Sequence, residues 1–124
     1  MTRRVAYLNA RLLDPASGLD QRGALLTEDT KIADFGPGLF ADGVPEGIKR
    51  IDLAGLCLAP GLVDMRVMVG EPGAEHKETI LTASQAAAAG GVTALACLPN
   101  SDPPLDSVSS IEFIARRARD VKLV

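Results

Sequence analysis

The sequence predicts an α/β protein in two parts: a small β-rich portion over residues 1–60, then a β-α-β-α-β run over residues 61–124. Three observations point there. Short apolar runs broken by turn residues fill the first part. The texture changes at Pro60-Gly61. Beyond it, two stretches free of glycine and proline separate longer apolar runs.

Val5 to Leu13 reads as a strand that breaks at Asp14-Pro15-Ala16-Ser17-Gly18, where proline fixes φ and glycine tolerates positive φ. Ala24–Thr27 and Lys31–Phe35 flank Glu28-Asp29-Thr30, a loop suited to a hairpin. Ile48–Asp52 and Leu56–Ala59 add two short strands around Ala54-Gly55, so the first part reads as a small antiparallel sheet or half-sandwich. From Leu62 to Val69 mainly Asp64 and Arg66 interrupt an apolar run, the pattern of a strand covered on both faces in a parallel sheet. Glu75–Ala89 predicts a helix whose packing face is Ile80, Ala83 and Ala87, stopped by Gly90-Gly91. Val92–Leu98 predicts a second buried strand and Pro99–Pro104 a loop. Ser107–Arg119 predicts a second helix, with Ile111, Phe113, Ile114 and Ala118 apolar and Arg116, Arg117 and Arg119 in the last turn. Val121–Val124 reads as the start of a third strand. Alternation of this kind builds a parallel sheet with right-handed crossovers.

Composition narrows the function classes. Apolar types make up 47% and charged types 23% of 124 residues, a globular balance. A formal charge of −3 with 3% aromatics lacks both the basic footprint and the stacking platform of a nucleic-acid binder. No run approaches the ~20 apolar residues of a membrane span, and Asp14 falls where a signal peptide would be apolar, so a cytoplasmic protein is expected. Cys57 and Cys97, far apart and each in an apolar run, are expected to be buried, reduced thiols.

Three stretches together carry a family resemblance: Leu58-Ala59-Pro60-Gly61-Leu62-Val63-Asp64; Gly70-Glu71-Pro72-Gly73 before Glu75-His76-Lys77-Glu78-Thr79; and Ala87-Ala88-Ala89-Gly90-Gly91-Val92-Thr93 leading to Cys97-Leu98-Pro99-Asn100. In this order they resemble the N-terminal part of dihydroorotases, of the amidohydrolase superfamily; Leu13-Asp14-Pro15-Ala16-Ser17-Gly18 fits the same pattern. The resemblance implies a β-sandwich portion followed by the first β/α units of a (β/α)8 TIM-type barrel. It also implies interconversion of carbamoyl-aspartate and dihydroorotate in pyrimidine biosynthesis, with zinc as cofactor in active members. Two zinc ligands would come from a His-x-His pair on the first barrel strand, since residues two apart on a strand face the same way. An arginine two residues further on would hold the substrate carboxylate through bidentate bonds.

At those positions this chain has Arg66, Met68 and Gly70. Guanidinium has no lone pair to give a metal and stays protonated, and a thioether is a weak zinc donor. Gly70 has no side chain with which to hold a carboxylate. The expected reading is therefore a non-catalytic homologue without a metal site. By resemblance to inactive members it would be a structural partner of aspartate carbamoyltransferase, in a homo- or hetero-oligomer. The alternative is an active zinc-dependent dihydroorotase, or another cyclic amidohydrolase, with a displaced or engineered metal site. His76, the single histidine, reads as a surface or capping residue. Asn100 matches a substrate-contacting asparagine of the family and is equally an ordinary turn residue. Asp64 is expected to meet Arg66, a neighbouring strand or backbone donors, and Glu71 to serve loop structure. The family's metal-bridging lysine, further histidines and catalytic aspartate would lie beyond Val124, so the chain reads as a large scaffold cut short.

Overall fold

Apolar and polar residues alternate around Ala10–Leu12, and the chain there forms part of its longest strand, β1 (Arg4–Asp14). In the computed structural model, which describes residues 2–121, 123 and 124, β1 pairs antiparallel with β2 (Leu19–Glu28), and β2 with β3 (Lys31–Gly36). Asp14 closes the first hairpin by accepting from Ala16 N at 3.1 Å and from Ser17 Oγ at 2.6 Å. Asp29 closes the second with φ 52, a conformation Asp tolerates better than most residues. A bulge between Tyr7 and Ala10, with Asn9 at φ 56, resets the register so that Ala10 and Leu12 turn inward and Arg11 outward. Arg11 then grips both Asp20 oxygens at 2.7 Å, which holds the Asp20 carboxyl below its usual range.

The chain returns to the other side of β1 with β4 (Lys49–Asp52) and β5 (Cys57–Leu58), and both run parallel to β1. The expected antiparallel sheet is therefore a mixed one of five strands. The correction has a topological cause: the loop after β3 crosses to the far side of β1 and brings the chain back in β1's own direction. Val5, Ala6, Ala10, Leu12 and Ala24 are the buried apolar residues of this unit, Met1–Pro60.

The second unit, Gly61–Val124, contains β6 (Leu62–Val67), α1 (Ile80–Ala89), β7 (Val92–Cys97) and α2 (Val108–Val121), with β6 and β7 parallel. Ile80, Ala83 and Ser84 are the buried face of α1, and Gly90 ends it by donating to Ala86 O and Ala87 O. Several expectations need correcting. β6 stops at Val67 and is largely exposed, Met65 by 79%, because within the unit it has a single strand neighbour. The first helix begins at Ile80 and not at Glu75, because Thr79 and Thr82 form a reciprocal capping box there. No residue of α2 is buried; Ile111 is 55% exposed and Phe113 also lies open. Cys57 and Cys97 are exposed, one on the two-residue β5 and the other at the last residue of the two-stranded sheet. Of the expected third strand, Val121 closes α2, Lys122 lies outside the described residues, and Leu123 and Val124 carry no strand. No described helix is long and apolar enough to cross a membrane.

Two predictions concern the first unit. A Cβ at Gly23 would lie 2.5 Å from Gly36 O and 2.7 Å from Leu12 Cδ1. Gly23→Ala is expected to cost about 1–3 kcal/mol in thermal or denaturant unfolding, the usual range for overpacking. The second concerns pH. Asp14 is held below its usual range by Ser17 and the Ala16 N–H, Asp20 by Arg11, and Asp52 by Asn9 and the Ala54 N–H. Carboxyls that ionise more readily folded than unfolded stabilise above the unfolded value of about 4, and lose that contribution as pH falls through the lower folded values. A triple Asp→Asn variant at these positions should be less stable than the parent at pH 7. The two stability curves should converge in acid; parallel curves down to pH 2 would contradict the assignment.

Candidate functional site

The residues to be located are those after the middle of β6 and at the end of β7. Asp64 and Arg66 lie on β6 and Met68 just past its end, while Val69, Leu95 and Cys97 line a cavity of about 100 Å³ together with Ile80 and Ala83 of α1 and Ile114 and Ala118 of α2. Asp64, Arg66 and Met68 are all exposed, Met68 by 65%. The Asp64 carboxylate accepts the Arg66 backbone N–H at 3.1 Å, the backbone-donor option among those open to it.

This donor set does not fit zinc. Arg66 has no lone pair to give, Met68 offers a neutral thioether, and Asp64 is the one metal-type ligand of the three. His76 lies exposed in a turn four residues before α1, not at the helix start where the sequence put it. Among the described residues no three or more His, Cys, Asp or Glu side chains gather into a group able to hold a metal ion. No catalytic step is derived through a metal on this chain.

Beyond Val69 the chain folds into a tight loop, residues 70–79. Ala74 N–H donates to Gly70 O at 2.6 Å and Lys77 N–H to Ala74 O at 2.9 Å. Glu75, expected in the helix, turns back so that its Oε1 accepts from Gly73 N–H at 3.0 Å; this bond, with His76 nearby, holds its carboxyl below the usual range. Glu71 is 5% exposed. Its Oε2 accepts the Ile80 N–H at 2.9 Å, at the first turn of α1, and its Oε1 accepts Arg117 Nε of α2 at 2.7 Å. A carboxylate at a helix N-terminus meets unpaired N–H donors and the positive end of the helix dipole.

The loop after β7 meets this one. Asp102 N–H donates to Pro72 O at 3.2 Å, and Gly73, at φ +101, lies against the Asp102 carbonyl with no space for a Cβ. Asn100 sits exposed at the start of that second loop, whose backbone is tied by Leu105 N–H to Pro99 O at 3.1 Å. Arg66 thus lies near the end of β6 with Met68 and Gly70 just beyond it, Asn100 follows the neighbouring strand, and His76 stays out in the turn.

Sequence reasoning did not anticipate the Glu71–Arg117 pair. Arg117 read as one of three cations ending a helix, and the partner lies 46 residues earlier. The available signal was a lone glutamate between an apolar strand and a Pro-Gly turn. It also did not anticipate that Gly70 is a point of close backbone approach.

Comparison with known proteins bears on this geometry. A family model described as dihydro-orotase-like matches residues 55–124, which include both loops. The dihydroorotase of Wolbachia sp. subsp. Brugia malayi (strain TRS) is 52% identical over 122 residues, covering 98% of this chain and 28% of the relative. That of Ehrlichia chaffeensis is 54% identical over 115 residues, covering 92% and 26%. The chain thus spans little more than a quarter of the length of these curated relatives. Among solved structures, the L-hydantoinase (dihydropyrimidinase) from Arthrobacter aurescens superposes with TM-score 0.79 at 24% identity, over 95% of this chain and 25% of that one. Molinate hydrolase superposes with TM-score 0.68 at 22% identity, over 99% and 28%. These two likenesses concern the fold. With the family model covering β5 to β7, the two interlocked loops and both helices, the chain belongs to the dihydro-orotase-like family.

Proposed function

We propose that this chain is the N-terminal part of a non-catalytic dihydroorotase-like protein associated with pyrimidine biosynthesis. In this reading Gly61–Val124 opens a (β/α)8 barrel and the five-stranded unit belongs to a β-sandwich. The observation that supports it is the set of residues at 66, 68 and 70: a guanidinium, a thioether and a glycine, where zinc binding and carboxylate recognition call for two imidazoles and an arginine. Losing all three removes Lewis-acid activation of a bound water and the group that orients the substrate, two contributions that cyclic amide hydrolysis depends on.

A scaffold without chemistry persists through its surfaces. The proposed role is structural, in the cytoplasm, as a partner of aspartate carbamoyltransferase, the assembly that inactive homologues resembling this chain form. No cofactor is required in that role.

The test uses the full-length protein. Metal analysis should find no stoichiometric zinc, assays in both directions should find no interconversion of carbamoyl-aspartate and dihydroorotate, and the transferase should co-purify. Stoichiometric zinc with measurable ring closure would overturn the non-catalytic reading. Failure of the transferase to associate, in pull-down and in sedimentation with purified components, would overturn the partnership.

A further inference from the structure

The first unit holds a cavity of about 690 Å³ on one side of its mixed sheet, walled by β1, β2 and β4 and by the loop between β3 and β4. Pockets that take small organic molecules run from about 300 to 1,000 Å³. None of positions 66, 68 and 70 lines it, so its use is independent of the non-catalytic reading.

Arg22 of β2 and Arg50 of β4 stand on either side of β1, and both line this cavity. Arg22 pairs with Arg11 and Arg50 with Ala6, positions that an unbroken strand would turn to opposite faces. The bulge between Tyr7 and Ala10 adds one residue to β1 and brings the two to the same side. Neither arginine forms an ion pair among the described residues. Arg50 gives one Nη2 N–H to Val44 O at 2.7 Å, which fixes its guanidinium beside the loop and leaves its other donors for a further acceptor.

Asp52 is the one carboxylate in the wall. It accepts from the Ala54 N–H at 2.8 Å and from the Asn9 side chain, neutral donors that hold it below its usual range, so it is ionised at neutral pH. Two guanidiniums against one carboxylate leave the cavity positive in a chain whose formal charge is −3. The loop adds an apolar wall, Leu39, Phe40 and Val44. Phe40 stands at φ 66, in the left-handed region that bulky side chains avoid, and its carbonyl accepts the Gly43 N–H at 2.9 Å. Strain of this kind concentrates at ligand clamps.

We propose that this cavity binds a phosphate monoester with an aromatic or apolar body, the phosphate on Arg22 and Arg50 and the body against Leu39 and Phe40. A phosphate monoester carries a charge of about −1.5 to −2 near pH 7 and three acceptor oxygens, which suits two guanidiniums that lack a carboxylate partner. The body gains by leaving water for the loop's apolar side chains.

The test is titration calorimetry of the full-length protein with phenyl phosphate and with inorganic phosphate. Phenyl phosphate should saturate one site per chain, and inorganic phosphate should bind several-fold more weakly. Arg22→Gln and Arg50→Gln should each weaken phenyl phosphate by roughly tenfold or more. Arg22→Gln decides the matter even where loss of the Val44 contact unfolds the loop in Arg50→Gln. Phe40→Ala should weaken phenyl phosphate by roughly tenfold and leave inorganic phosphate unchanged. Arg119→Gln, which removes an equal charge from α2, should bind as the parent does. No phenyl phosphate binding by the parent, the outcome expected if another segment of the full chain fills the cavity, would overturn the site. So would parent-like binding in Arg22→Gln, or an equal loss in Arg119→Gln. Phenyl phosphate binding that is untouched by Phe40→Ala, or no tighter than that of inorganic phosphate, would overturn the placement of the body against the loop.

Discussion

Both oxygens of one buried carboxylate hold the second unit together at its loop end. Glu71 takes the Ile80 N–H with one oxygen and the Arg117 guanidinium with the other, so a single side chain joins the loop after β6 to α1 and α2. A carboxylate taken out of water costs several kcal/mol unless its lone pairs are engaged by good donors, and here a helix N-terminus and a guanidinium supply them. Arg117 is half exposed, so its charge is partly screened, and much of the value of the pair lies in geometry: it fixes where α1 starts and how the loop lies. The apolar core could not do this alone. Ile80 and Ala83 are the buried apolar residues of this unit, a small amount of surface with which to position two helices.

From that constraint follows the arrangement at the ends of the strands. With Ile80 held, Thr79 can cap the helix through Thr82, and the residues before it close over Gly70. The loop's outer turn then meets the loop after β7, through Pro72 O and the Asp102 N–H. The end of the sheet is shaped by backbone hydrogen bonds and one buried charge, while Arg66 and Met68, where chemistry would be expected, are exposed. Arg66 contributes its backbone N–H to Asp64, and Met68 lies 65% exposed.

Local signals made much of the fold legible in the sequence. Asp29-Thr30 between two apolar runs gives a hairpin because Asp accepts positive φ, Gly90 ends α1 as the run of alanines gives out, and Ala83 lies on the buried face that helical spacing assigns it. The start of α1 was not legible, for a physical reason. Glu75, Lys77 and Glu78 are good helix formers, and Thr82 stands where the common capping pattern has Glu or Gln, so propensity extends the helix too far. The parallel course of β4 and β5 was hidden too, because a short strand's sequence carries no mark of its direction. Of the site, positions 66, 68 and 70 could be read because chemistry is a property of residue type. The Glu71–Arg117 pair could not, since two residues 46 apart become neighbours only through the fold.

The residues that set the shape are not those that the sequence singles out for chemistry. Positions that set the shape are those where backbone approaches backbone or where a charge is buried: Gly23 under Gly36 O, Gly70 under Ala74 O, Gly73 against Asp102, and Glu71 between two helices. Arg66 and Met68, by contrast, are exposed in this stretch of chain, one near the end of β6 and the other just beyond it. Position 70 stands between the two, because the backbone carbonyls of Ala74 and Glu78 lie too close to it for a Cβ.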